Sequence, residues 1–83
     1  MTATIEISLY PFQQEYPVSV IRFLKQLHSI SDIEIASNGM STIIIGDFEN
    51  LWPRLGTLIA SQFSNEESVI VMKVAPGRRE YAD

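Results

Sequence analysis

Residues 38–47 read Asn-Gly-Met-Ser-Thr-Ile-Ile-Ile-Gly-Asp, and the topology predicted for the whole chain depends on this stretch. Asn and Gly accept positive φ at low cost, so an Asn-Gly pair between two β-rich runs is the strongest short-range signal for a hairpin. The run before it, residues 32–36, places Ile33 and Ile35 on one face, and the run after it, residues 42–46, is rich in isoleucine. The stretch therefore predicts two adjacent antiparallel strands joined by a tight turn.

The hydrophobic period changes in an ordered way on either side of this hairpin. Residues 4–10 alternate between apolar and polar side chains, as a half-buried strand does, and Pro11 ends the pattern. A helix is predicted next, with Pro17 in its first turn. Its buried side consists of Val20, Phe23, Leu24 and Leu27. A last strand is predicted over residues 68–74, and Pro76-Gly77 prevents it from continuing.

A second helix is predicted before the last strand, and its start depends on Pro53. Proline deep inside a helix removes a hydrogen bond and clashes with the preceding turn. We therefore expect the helix to begin near Glu49 or Asn50, and a kinked helix from Phe48 is the alternative. Gly56 is expected to allow a close approach to the sheet. The side chains predicted to be buried are Leu51, Leu55, Leu58, Ile59 and Phe63.

The element order β-α-β-β-α-β predicts a ferredoxin-like α+β sandwich, in which two helices cover one face of a four-stranded antiparallel sheet. Residues 1–83 are expected to form one domain, with a loose tail over residues 78–83. The helix-facing side of the sheet is expected to carry Ile5, Ile7, Leu9, Ile33, Ile35, Ile43 and Ile45. The outer side is expected to carry Thr4, Glu6, Ser8, Tyr10, Glu34, Thr42, Ile44, Val69, Val71 and Lys73.

The outer side of the predicted sheet is half apolar. A one-residue register slip in the last strand would exchange Val69 and Val71 for Ile70 and Met72, and the face would stay apolar in part. Such a face on a small domain is most simply buried against a second copy of the chain. We therefore predict a homo-oligomer, a dimer or a tetramer.

The composition argues against several classes of function. The 83 residues are 46% hydrophobic and 19% charged, as in a soluble globular protein. A net charge of −4 argues against nucleic acid and against an anionic membrane surface. There is no cysteine and only one histidine, His28, so neither a thiolate nucleophile nor a metal site is expected. No signal peptide or membrane span is recognised, and the cytoplasm is the expected location.

Three stretches resemble the thiamine-binding protein family of the YkoF type, a set of small ferredoxin-like domains. Residues 5–11, Ile-Glu-Ile-Ser-Leu-Tyr-Pro, are similar to the family's opening strand, which ends in Tyr-Pro. Residues 40–47, with Met-Ser-Thr and Gly-Asp, resemble its hairpin and third strand, and Arg78-Arg79 resembles its basic C-terminal end. Pro53 and the loop at residues 13–16 depart from the pattern. The resemblance implies a non-enzymatic domain, often oligomeric, that binds thiamine or its hydroxymethylpyrimidine part.

The residue types near the hairpin are compatible with such a ligand. An aminopyrimidine needs an apolar or aromatic contact on its flat face and a few fixed hydrogen bonds at its edge. Each candidate also has a purely structural interpretation, such as capping the turn or filling the core. The candidates for edge contacts are Ser8, Asn38, Ser41 and Thr42, and those for stacking are Tyr10, Phe48 and Trp52. We expect Ser8 and Thr42 to share a sheet face, and Phe48 or Trp52 to cover the end of the third strand.

Other classes of function remain open. An acylphosphatase-like enzyme would need a Gly-rich phosphate loop with an arginine, which residues 11–16 do not provide. Glu66 and Glu67, as neighbours on a strand, would point in opposite directions and would not form a catalytic pair. RNA binding through the sheet is disfavoured by the charge and by the scarcity of exposed aromatic residues. The main alternative is an oligomerising regulatory or interaction module that binds no small ligand. No catalytic residue, metal ligand or cofactor is predicted.

Overall fold

The computed structural model of the chain describes residues 1–12 and 16–80. Its elements are β1 (Thr2–Pro11), α1 (Tyr16–Leu27), β2 (Ile33–Ser37), β3 (Thr42–Asp47), α2 (Phe48–Asn65) and β4 (Ser68–Pro76). The strands form one antiparallel sheet in the order β2-β3-β1-β4. The fold is therefore the predicted ferredoxin-like α+β sandwich. Of the loop at residues 13–16, noted above as a departure from the family pattern, residues 13–15 lie outside the described residues.

The core lies between the sheet and the two helices. Ile5 of β1, Leu27 of α1, and Leu51 and Leu55 of α2 are fully buried, as the hydrophobic periodicity predicts. Ile70 and Met72 of β4 pack against this cluster from the sheet. Val69 and Val71 are therefore on the outer face, opposite Tyr10 and Ser8 of β1, in the predicted register.

The predicted register of β3 is wrong by one residue. Ile44 is paired with Ile5 of β1 and is fully buried in the core, and Thr42 is paired with Ile7. Both side chains face the helices, since directly paired residues share a face of the sheet. Ile43 and Ile45 consequently lie on the outer face, where the prediction had placed Ile44 and Thr42. Three consecutive isoleucines contain no alternation, so the sequence pattern did not specify which of them is buried.

The hairpin between β2 and β3 forms where Asn38-Gly39 predicts it, but by a different mechanism. Positive φ occurs among the described residues only at Asp32 and Gly77, so neither Asn38 nor Gly39 uses the left-handed region. Instead the Asn38 side-chain Oδ1 accepts hydrogen bonds from the backbone N–H groups of Met40, at 2.7 Å, and Ser41, at 3.1 Å. An Asn side chain that closes its own loop in this way replaces the conformational role expected of glycine.

Helix α2 begins earlier than expected. It starts at Phe48, with Asp47 as the N-cap, whose Oδ2 accepts a hydrogen bond from the Asn50 N–H at 3.2 Å. Pro53 therefore lies inside the helix, and the carbonyl of Glu49 lacks its usual helical donor. The alternative start at Phe48, not the preferred one, is correct.

The buried stripe of α2 differs from the prediction at two positions. Phe63 is 53% exposed, whereas Gln62, a polar residue, is 1% exposed. Gln62 is buried because its side-chain Nε2 donates to the Glu66 carboxylate at 2.7 Å. Gly56 is exposed, and a Cβ built there would contact nothing within 4 Å, so it does not serve a close approach to the sheet.

The first residues after β4 are bound to the sheet. Arg78 forms ion pairs with Glu34 of β2 and with Glu80. These hydrogen bonds from Arg78 hold the pKa of Glu34 below its usual value. The backbone N–H of Arg79 donates to the Thr4 hydroxyl at 2.9 Å. Of the predicted loose tail, residues 78–80 thus contact the fold, and residues 81–83 lie outside the described residues.

Two further properties concern residues 1–12 and 16–80 only. No helix there is long and apolar enough to cross a lipid bilayer. No three or more His, Asp or Glu side chains there are grouped closely enough to hold a metal ion.

Candidate functional site

A cavity of about 420 Å³ lies where the β2–β3 hairpin, the second half of β1 and one side of α1 meet. We refer to it as the hairpin cavity. Five of the seven predicted ligand residues line it, namely Ser8, Tyr10, Asn38, Ser41 and Thr42. The other lining residues are Ile7, Leu9, Pro11, Val20, Phe23, Leu24, Gly39 and Met40.

The hairpin cavity is open because β1 extends beyond its partner on one side. The pairing of β1 with β3 ends at Ile7, opposite Thr42, whereas its pairing with β4 continues to Pro11, opposite Ser68. Residues 8–11 of β1 therefore have a strand on one side only. Met40 and Ser41, the last loop residues before β3, take the place that a longer β3 would occupy.

The free side of β1 presents backbone hydrogen-bonding groups to the cavity. The N–H of Phe12 donates to the carbonyl of Glu67, next to β4, at 3.1 Å. Because backbone groups alternate along a strand, the even-numbered residues point to β4 and Leu9 points to the cavity. No backbone hydrogen bond in the described residues joins Leu9 to the hairpin loop. Leu9 thus presents one donor and one acceptor side by side.

The hairpin loop contributes polar atoms from the opposite wall. Asn38 Oδ1 is already occupied by the loop backbone, whereas its Nδ2 makes no hydrogen bond in the described residues. Ser41 Oγ donates to a Glu6 carboxylate oxygen at 3.3 Å, and Ser8 Oγ lies 3.4 Å from the carbonyl of Met40. Both contacts are long for hydroxyl donors, so a ligand can compete with them.

Thr42 occupies a different position from the one expected. Its hydroxyl lies 2.9 Å from the Ser37 hydroxyl, and the residue is buried on the helix-facing side of the sheet. Ser8 belongs to the outer face, because it is paired with Val71 of β4. The expectation that Ser8 and Thr42 share a face is therefore wrong. They line the same cavity because it lies at the end of the β1–β3 pairing and is reached from both sides of the sheet.

Phe48 and Trp52 lie outside the hairpin cavity. They stack on each other at the start of α2, with ring centroids 5.4 Å apart and planes inclined by 20°. The start of α2 follows the far end of β3, which is about 17 Å from the hairpin at the usual rise of a strand. The structure thus separates these two predicted stacking residues from the five others.

The apolar wall of the hairpin cavity comes from α1. Val20, Phe23 and Leu24 line it at the helical spacing that the sequence pattern predicts. Apart from Tyr10, which is half exposed, no lining residue in the described part of the chain is ionisable. Glu6 of β1 bonds to the lining residue Ser41, and its carboxylate lies 3.6 Å from the Lys73 ammonium. The cavity is suited to a largely uncharged, flat molecule with a polar edge.

Sequence reasoning missed a buried polar cluster between the two helices. Glu66, at the C-terminal end of α2, accepts hydrogen bonds from Ser19 Oγ at 2.9 Å and from Arg22 at 3.0 Å. It also accepts the bond from Gln62, whose own Oε1 is buried without a partner in the described residues. The prediction had treated Glu66 as a strand residue. The spacing of four residues between Gln62 and Glu66, at which two side chains can contact along a helix, was the signal available.

Comparison with known proteins identifies the fold. No protein-family model matches the chain, and no curated protein matches it. Among solved structures, a candidate thiamine biosynthesis/salvage protein of Thermotoga maritima superposes with a TM-score of 0.78 at 16% identity, over 89% of this chain and 82% of that one. A hypothetical protein of Methanocaldococcus jannascii gives 0.77 at 13%, over 96% and 84%. A domain of unknown function, DUF77, from Bacillus cereus gives 0.73 at 13%, over 90% and 75%. At such identities the likeness shows that the chain shares the fold of these proteins.

Proposed function

We propose that the chain is a non-enzymatic small-molecule binding protein whose ligand is thiamine or its hydroxymethylpyrimidine part, bound in the hairpin cavity. The observation that carries this proposal is the convergence of five candidate residues and the free side of β1 on one cavity of about 420 Å³. The sequence resemblance to the thiamine-binding family and the description of the Thermotoga protein support the choice of ligand.

The free side of β1 supports an aminopyrimidine in particular. A ring nitrogen beside an exocyclic amine forms an acceptor–donor pair, which is complementary to the N–H and C=O of one strand residue. Leu9 presents such a pair to the cavity. Asn38 Nδ2 and Ser41 Oγ on the opposite wall can bond the remaining edge of the ring. Phe23 and Leu24 of α1 supply an apolar surface for its flat face.

We expect the hairpin cavity to bind its ligand without catalysing a reaction on it. Among residues 1–12 and 16–80, the polar lining consists of hydroxyls, one amide and backbone groups, and no histidine, lysine or carboxylate of these residues lines the cavity. A hydroxyl nucleophile needs an adjacent base to attack at neutral pH. We therefore expect thiamine and its phosphates to be bound without turnover.

Calorimetric titration with thiamine and with hydroxymethylpyrimidine tests the proposal, with two matched variants. Val20→Phe adds a ring inside the cavity, whereas Val18→Phe makes the same change at an exposed position of α1 that does not line it. We expect Val20→Phe to weaken binding by about tenfold or more, since overpacking typically costs 1–3 kcal/mol. Val18→Phe is expected to keep the wild-type affinity. Equal affinities in the two variants would show that the ligand binds elsewhere.

The second candidate function is an oligomerising interaction module, and the outer face of the sheet favours it. Ile43 lies on this face with Val69 and Val71, which are 44% and 51% exposed. Ile45 is on the same face but is already buried within the chain. Burying such a face against a second copy would remove apolar surface from water. Wild-type protein that binds neither thiamine nor hydroxymethylpyrimidine, yet assembles, would favour this module over the ligand-binding protein.

Assembly is tested by light scattering on the wild type and two variants. Ile44 is part of the core and would unfold the monomer if charged, so Val71→Lys is the appropriate change on the outer face. Phe63→Lys, at a similarly exposed position of α2, is the matched control. We expect the wild type to be at least a dimer at about 50 μM, Val71→Lys to dissociate, and Phe63→Lys to remain assembled.

A further inference from the structure

A second concave site lies in the groove between α2 and the C-terminal end of α1 with the residues that follow it. Its volume is about 370 Å³, and Ile30 and Leu58 form its apolar floor. The polar residues around that floor are Gln26, Ser29, Arg54, Thr57 and Ser61. We refer to it as the interhelical groove. None of the described residues that line it is acidic, although the chain carries a net charge of −4.

Arg54 is the charged group of the groove, and its guanidinium is held in place by a neutral partner. Its Nε donates to Asn50 Oδ1 at 3.0 Å, and Asn50 Nδ2 in turn lies 3.4 Å from the carbonyl of Ser31. Both terminal nitrogens of Arg54 are without hydrogen bonds in the described residues, and no carboxylate there lies within ion-pair distance. By contrast, Arg22 and Arg78 are both neutralised by glutamates.

Two further donors face the same space. The Gln26 side-chain amide and the Ser61 hydroxyl make no hydrogen bond within residues 1–12 and 16–80, and both line the groove. The hydroxyl hydrogens of Ser29 and Thr57 are already used by carbonyls of their own segments, at 2.5 and 3.1 Å. The groups of the groove that are left without a hydrogen-bond partner in the described residues are thus mainly donors: a guanidinium fork, an amide N–H₂ and one hydroxyl.

We propose that the interhelical groove binds a small phosphomonoester, with the phosphate at Arg54 and an apolar part over Ile30 and Leu58. A guanidinium fork matches the paired oxygens of phosphate or carboxylate. A carboxylate has two oxygens, and in a bidentate pair both are turned toward the fork. The third terminal oxygen of a phosphomonoester provides an acceptor for Gln26 or Ser61. This site is separate from the hairpin cavity and does not depend on the function proposed there.

The test is a titration with phenyl phosphate followed by two-dimensional ¹H–¹⁵N NMR, with benzoate and inorganic phosphate as comparison probes. Phenyl phosphate is expected to shift the Gln26 side-chain amide and the backbone amides of Ser29 and Ser61. Benzoate, with two oxygens, and inorganic phosphate, without an apolar part, should each bind about threefold or more weakly.

Variants of Arg54 and Arg79, the two arginines that pair with no carboxylate of the described residues, separate a built site from nonspecific attraction. Arg54→Gln should lower the affinity for phenyl phosphate by about tenfold, because it removes the charged fork and keeps the helix. Arg79→Gln removes an equal charge outside the groove and should change affinity less than about twofold. Ser61→Asp places a negative charge at the groove. We expect phenyl phosphate to cause no amide shifts in this variant. Equal losses in Arg54→Gln and Arg79→Gln, or shifts centred on the hairpin cavity, would overturn the proposal.

Discussion

Replacing Gly46 with alanine tests the corrected register of β3 directly. Gly46 is paired with Ala3 and with Ile33, and a Cβ built on it would lie 2.8 Å from Ile33 Cγ2 and 3.4 Å from Ile33 Cβ. An ordinary contact needs at least 3.4 Å, so the Ile33 methyl must move by more than half an ångström. Ile33 is β-branched and stiff at χ1, and its side chain packs against the core.

The magnitude follows from two opposing terms. Overpacking of this kind costs about 1–3 kcal/mol, and replacing glycine stabilises by about 0.4–1 kcal/mol through the unfolded chain. We therefore expect Gly46→Ala to lower the free energy of unfolding by about 1–2 kcal/mol, measured by urea denaturation with the m-value unchanged. In an Ile33→Ala background most of this cost should disappear, which a double-mutant cycle would detect.

Gly56→Ala is the matched control for this prediction. Gly56 lies exposed in α2 with no atom within 4 Å of the added Cβ, so alanine should stabilise by about 0.5–1 kcal/mol. If Gly46→Ala were as stable as the wild type, or if its cost were the same with and without Ile33, the contact between β3 and β2 would not be the one described.

Three other expectations rest on the same structure. Ile44→Ala should lower the free energy of unfolding by about 2–5 kcal/mol, because Ile44 is fully buried in the core. Ile43→Ala, on the outer face, should lower it clearly less. Urea denaturation of both variants at one protein concentration compares the two losses. Glu66→Gln should destabilise by about 1.5–3 kcal/mol, because it weakens charge-assisted bonds between the helices, and thermal unfolding measures the loss. The pKa of Glu34 is lowered by Arg78, so this ion pair stabilises the fold above the unfolded-state pKa and is lost as pH falls through the folded-state pKa. An NMR titration of Arg78→Gln should show the Glu34 pKa returning upward, and an unchanged pKa would contradict the pairing.

The element order could be predicted because each element has its own period. β1 alternates, and α1 repeats its apolar residues at helical spacing, so local patterns were sufficient. In β3 the pattern contains no alternation, and what selects Ile44 for the core is its partner Ile5, which is 39 residues away in sequence. The burial of Gln62 could not be predicted from local patterns either. Its burial depends on Glu66 and on Ser19 of the other helix, and no periodicity reports that contact.

The candidate site could be predicted in part for the same reason. The hydroxyls beside the Asn38 turn are local features, and the topology brings the second half of β1 to them. Phe48 follows β3 directly in sequence, but a strand carries the chain away from the hairpin, so closeness in sequence did not imply closeness in space. The open backbone of Leu9 depends on where the β1–β3 pairing stops, and nothing in the residues of β1 alone indicates that point.

The Asn38 loop also has a consequence for altering specificity. One side chain closes the loop, and the backbone at Gly39 and Met40 keeps ordinary negative φ, so neither position requires a particular residue. A Cβ at Gly39 would meet nothing within 4 Å, and the Met40 side chain is 85% exposed. The contact from Ser8 reaches the Met40 carbonyl, which every residue type provides. Residues 39 and 40 can thus be randomised together in a mutant library. The side chains at the entrance of the hairpin cavity would then vary, while the Asn38 hydrogen bonds keep the loop backbone in place.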